Sequence, residues 1–144
     1  MRSVGKHLLA LLAAAALSFL AGFAFVHVAG RLPCNGERLA CNIDEAVGAY
    51  GVMIWAILGP CIIGVVLAVA RNRTALLGAT VLLLVPPLAF LLVTQYEHTV
   101  YIGFEPQRQL RTFLVSVAPV IITVLVQYLI MRPTVPRSAG AISA

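Results

Sequence analysis

Long apolar blocks separated by short polar intervals set the pattern of this chain. Four stand out, at about 8–30, 46–70, 75–95 and 112–131. Within them the apolar residues run almost without interruption. They show neither the alternation of a half-buried strand nor the one-sided stripe of a soluble helix. Each block is close to the ~20 residues an α-helix needs to cross ~30 Å of hydrocarbon. A helix also satisfies its own backbone groups, as a medium without water requires. A membrane barrel needs alternating segments of roughly ten residues, and the chain has none. The pattern predicts an all-α, four-helix integral membrane bundle forming one domain over 1–131. A disordered tail is expected over 132–144, where prolines and small residues offer little to bury.

The first block could be read as a signal peptide, with Arg2 and Lys6 ahead of it and Ala-Gly-Phe-Ala at 21–24 resembling a cleavage site. Its apolar run continues through Phe25, Val26 and Val28, past the ~7–15 residues of a signal core. A retained helix is expected.

The intervals predict orientation. With the N-terminus in the cytoplasm, Arg2, Lys6, Arg71, Arg73, Arg132 and Arg137 lie inside, and Arg31, Arg38, Arg108 and Arg111 lie outside. The excess has the sign of the positive-inside rule, so both termini are expected to be cytoplasmic. All the acids, Glu37, Asp44, Glu45, Glu97 and Glu105, then fall outside. Residues 71–74 make a tight inner turn, so the second and third helices are expected to be antiparallel neighbours. Two outer loops of about fifteen residues, near 31–45 and 96–111, hold most of the distinctive polar residues.

Composition strengthens this reading. Of 144 residues, 61% are hydrophobic and 10% are charged, against roughly 25% charged in soluble domains. So little charge cannot cover a water-soluble globule. The net charge of +5 would raise nucleic acid as a partner, but the basic residues sit at block ends without a basic stripe or interleaved aromatics. No nucleic-acid partner is expected; the lipid bilayer is. The composition fits a multi-pass protein of a cell membrane, of the bacterial inner-membrane kind.

Cys34 and Cys41 enclose six residues that begin Asn35-Gly36. On an outer, oxidising face disulfides persist, and Asn-Gly favours a tight turn. A disulfide between them is the expected state. Closing so short a loop removes roughly 2–3 kcal/mol of unfolded-state freedom on the chain-entropy model. A redox centre is the sharper alternative. Four helices with cysteines in an outer loop resemble, in topology alone, the quinone-linked thiol oxidases of the bacterial envelope. That resemblance implies a Cys-x-x-Cys pair and a second pair in the other outer loop. Here the spacing is wider and 96–111 contains no cysteine, so a relay lacks its second station. A zinc site from Cys34, Cys41, His27 and His98 has the right ligand types but no standard spacing. Neither metal nor cofactor is expected. Cys61, beside Pro60, reads as a small apolar residue.

The block centres contain no Asp, Glu, Lys, Arg or His. Ionisable groups within the membrane mark proton relays and ion paths, so a proton-coupled transporter is disfavoured. The small multidrug transporters, four-helix chains with a membrane-embedded glutamate, are disfavoured with it. Two features remain. Gly59-Pro60 and Pro86-Pro87 fall near the middle of adjacent helices, and helix breaks at mid-depth can form substrate sites or simply kinks. Ala14, Ser18 and Gly22 recur every four residues, a face that lets another helix approach closely. That face could serve the chain's own bundle, a second copy or another subunit.

The aromatics gather toward the outer side, at Phe23, Phe25, Tyr50, Trp55, Tyr96, Tyr101, Phe104 and Phe113, with Tyr128 alone near the inner end. Interfacial anchoring accounts for part of this; a docking surface or apolar pocket would account for the excess. No serine–histidine–acid set, phosphate loop or useful carboxylate pair occurs, so no catalytic residue is assigned. The leading expectation is a small non-enzymatic accessory or scaffold protein that packs against a membrane partner or a second copy. A thiol–disulfide enzyme using Cys34 and Cys41, and a small-solute transporter or channel using the proline breaks, are the alternatives.

Overall fold

A computed structural model describes residues 2–34, 38–101 and 106–136. Helix α1 spans Arg2–Ala29, α2 Arg38–Val69 and α3 Arg73–Tyr101. The fourth span is built in three pieces: α4 at Pro106–Thr112, a π-helical turn at Phe113–Val117 and α5 at Ala118–Met131. A 3-10 turn at Arg132–Thr134 ends it. Four helices are long and apolar enough to cross a membrane, the arrangement of a multi-pass membrane protein. Leu9, Leu20, Ile57, Val65, Leu82 and Leu92 are among the many large apolar side chains exposed on its outside. In water such a continuous apolar surface would be a liability; against acyl chains it is the expected covering.

The helices run beyond the apolar blocks. Helix α2 begins at Arg38 and α3 continues to Tyr101, so the two links at the disulfide end, 30–37 and 102–105, are shorter than the fifteen-residue loops the hydropathy pattern suggests. The added turns contain good helix formers such as Arg38, Leu39 and Ala40. Once flanking helices can pack, a polar face does not end a helix. The Asn35-Gly36 turn lies outside the described residues. At the other end Val135, within the expected 132–144 tail, is buried in the core; 137–144 lie outside the described residues.

Helices α2 and α3 are joined by a short turn. Asn72 caps α3, its Oδ1 accepting from the Ala75 N–H at 2.6 Å, which satisfies a donor the helix cannot reach internally. In the packed bundle, α1, α2 and α5 are in close mutual contact, while α3 lies against α2 and α5. In lipid, association rests on close packing and hydrogen bonds, since the solvent is as apolar as the side chains. The buried faces follow that rule. On α1 they are Ala14, Ser18, Gly22, Val26 and Ala29, and on α2 Gly48, Val52, Ala56, Gly59, Pro60, Ile63 and Leu67.

Candidate functional site

Small residues bring the backbones together, and polar groups fill the contact. A Cβ on Gly22 would overlap the Thr123 hydroxyl and crowd Val52. A Cβ on Gly59 would overlap the Gln127 amide. The stripe Ala14, Ser18, Gly22 is therefore turned inward, onto α2 and α5.

A hydrogen-bonded layer crosses the bundle at mid-span. Gln127 is fully buried. Its Nε2 donates to Ser18 Oγ at 3.1 Å and to the Trp55 carbonyl at 2.9 Å. Ser18 donates onward to the Ala15 carbonyl at 3.2 Å. The Trp55 indole N–H donates to the Leu83 carbonyl at 2.9 Å. That carbonyl sits four residues before Pro87, so it is the acceptor left open by the proline's missing N–H. Ser18, Gln127, Trp55 and Leu83 thus tie all four spans together. Gln127 Oε1 has no hydrogen-bond partner; it rests against Gly59, where a Cβ would require the amide to shift.

The proline at 119 is handled differently. It deprives the Val115 carbonyl of its donor, and the helix widens, the Ala118 N–H bonding to Phe113 O in the π register. The Val115 carbonyl then lies against the backbone of Gly48, in the space a Cβ would fill, a position suited to a weak Cα–H···O contact.

At the disulfide end the chemistry becomes ionic. Cys34 and Cys41 form a disulfide, with Cα atoms 6.3 Å apart. Their sulfurs are joined to each other and leave no thiolate for zinc. Among the described residues no group of three His, Cys, Asp or Glu is placed to hold a metal. The His98 side chain lies outside the described residues. Arg111, buried at 7% exposure, is the hub. Its Nη2 pairs with Glu45 Oε1 at 3.0 Å, and its Nη1 stands 3.7 Å from Asp44 Oδ2. Its Nε donates to the Leu32 carbonyl at 3.4 Å. Thr112 Oγ1 donates to Asp44 Oδ2 at 3.0 Å, and Ser116 Oγ to the Asp44 carbonyl at 3.1 Å. The cluster fastens the fourth span to α2 and to the link that the disulfide closes.

Two clefts flank this end. One, of about 270 Å³, lies between α2, α3 and the fourth span and is lined by residues including Gly51, Trp55, Pro86, Pro87, Phe90 and Val120. The other, of about 450 Å³, lies between α1 and α2. No family model matches the chain, and neither curated proteins nor solved structures show a significant similarity to it.

The structure brings the small-residue stripe, Gly59 and Pro60 into the bundle interior, and places Pro86 and Pro87 at a cleft wall. Trp55, read from sequence as an outer-side aromatic, spends its N–H inside the bundle. Sequence reasoning missed Gln127 and Thr123, although two polar residues four apart on an apolar helix share a face. It also took Arg111, Asp44 and Glu45 as loop charges. The signal there was weaker: acids at the start of one apolar block and an arginine at the start of another.

Proposed function

We propose that this chain is a non-enzymatic subunit of a larger membrane assembly. It lies in a cell membrane with both termini cytoplasmic and the disulfide end outside, and docks a second membrane protein along α3 beyond Pro87. One observation carries the reading. The buried residues of α3 are Leu76, Ala79, Thr80, Leu83 and Pro87, and among the residues of α3 whose burial is described none after Pro87 is buried. The first half of α3 is held by packing and by the Trp55 bond, whereas the second half presents Leu88, Phe90, Leu92, Val93 and Tyr96 outward. The adjoining cleft offers room for side chains of an approaching helix. The basic residues on the side away from the disulfide support the orientation.

The polar groups support a structural rather than a transport role. The carbonyl opened by Pro87 is occupied by Trp55, and Gln127 is engaged with two other helices. A photo-crosslinker at Leu92, compared with one at Leu20 on α1, tests the reading in intact membranes. The expected outcome is a discrete protein adduct from position 92 alone, and co-purification of that protein in mild detergent. Adducts to lipid only, or equal adducts from both positions, would overturn it.

A further inference from the structure

The cleft between the disulfide-end halves of α1 and α2 has a graded lining. Phe23 and Val26 of α1, with Ala46 and Ala49 of α2, form its apolar wall. His27, Arg31 and Glu45 form a polar rim. The rim lies where the apolar span of α1, Gly5–Ala29, gives out. Polar groups above and an apolar wall below follow the order of a phospholipid, headgroup first and chain beneath.

The charges narrow the headgroup. Arg31 Nη2 lies 3.2 Å from His27 Nε2, and both side chains are exposed, so a guanidinium and an imidazole border one side. Glu45 borders the other. It gives one oxygen to Arg111 and, as a carboxylate, retains a second acceptor. A cationic rim facing an anionic one complements a zwitterion whose anion and cation are a few bonds apart. Arginine suits phosphate through paired N–H donors. A carboxylate is best matched by an ammonium that still carries N–H groups. We propose that this cleft binds a phospholipid with a primary-amine headgroup, of the phosphatidylethanolamine class, its phosphate on Arg31 and His27, its ammonium on Glu45 and a chain along Phe23, Val26, Ala46 and Ala49.

Phosphatidylcholine has the same charges but no N–H donor on its ammonium, and phosphatidylglycerol lacks the cation. The purified full chain, equilibrated in mild detergent with equal amounts of the three lipids bearing identical acyl chains, is read by native mass spectrometry. The expected result is a single phosphatidylethanolamine adduct favoured about tenfold over each of the others, the size of one charge-assisted hydrogen bond. Arg31→Gln should remove about the same factor while leaving the melting temperature unchanged, because the side chain and its partner are exposed. Ala46→Phe should also reduce the adduct by filling the apolar wall. Free phosphoethanolamine should fail to displace the lipid at equal concentration. Equal retention of the three headgroups, a preference for phosphatidylglycerol, displacement by free phosphoethanolamine, or an unaltered adduct in Arg31→Gln would each overturn the proposal. The readout is lipid retention and is independent of any protein partner.

Discussion

The bundle holds two polar clusters built from different chemistry. At mid-span the polar groups are neutral: an amide, two hydroxyls, an indole and backbone carbonyls, each making one or two hydrogen bonds. At the disulfide end a buried arginine meets two carboxylates. The difference follows from distance to water. An ionised group at the centre of hydrocarbon is costly, whereas Glu45, with 41% of its side chain exposed, keeps part of its hydration. Neutral groups can sit deep because an unmade hydrogen bond there costs less than an unpaired charge. The deep layer should therefore set spacing between helices, and the end cluster should hold the link and the fourth span in place.

Removing the charge hub should have the largest effect. Arg111→Met keeps an unbranched apolar stem but removes the guanidinium, and leaves Asp44 and Glu45 beside an apolar group. Breaking a fully buried pair costs about 3–5 kcal/mol; the partial exposure of both acids brings the expected loss to about 2–3 kcal/mol. Reversible unfolding in mixed micelles measures it. Cys34→Ser should cost about 2 kcal/mol on the chain-entropy model, and the two losses should add to less than their sum. Arg111 reaches the Leu32 carbonyl, and the disulfide restrains the same link, so each substitution weakens what the other holds. Strict additivity would show that the clip and the cluster are independent.

Glycine at the deep layer comes next. Gly59→Ala places a methyl group on the Gln127 amide, and overpacking of this kind costs about 1–3 kcal/mol. Shortening the partner should relieve it. In a Gly59→Ala, Gln127→Ala double variant the alanine at 59 should cost under about 1 kcal/mol. If it costs as much as in the parent, the clash is with something other than the amide.

The contrast also explains what could be read in advance. The four spans were legible because each is a long apolar run with basic ends, and the stripe Ala14, Ser18, Gly22 was legible because its spacing matches the helix. The helix ends were not, since Asp44 and Glu45 look like loop composition until Arg111 is known to face them. Glu45 and the Leu32 carbonyl that Arg111 meets are 66 and 79 residues from it in the chain, and hydropathy carries no signal for such pairing. The prolines were visible, but their consequence was not. Whether a freed carbonyl becomes a ligand site or a tie between helices depends on what lies opposite, here the Trp55 indole for one and Gly48 for another.

The smallest effect should come from Gln127 itself, although it is the largest fully buried polar side chain at the centre. Gln127→Met preserves length and flexibility and removes the amide. Ser18 keeps its bond to the Ala15 carbonyl, and the Trp55 carbonyl remains part of a helix, so neither partner is left as an isolated buried charge or donor. The same substitution removes Oε1, which has no hydrogen bond to lose. Interhelical hydrogen bonds in membranes average about 0.6 kcal/mol and reach about 1.7, so a loss near 0.6 kcal/mol is expected, several-fold below that of Arg111→Met under the same conditions. A loss equal to or larger than that of Arg111→Met would invert the comparison: the neutral layer would then be a cooperative network in which one amide holds four helices, and the ionic cluster would be the dispensable one.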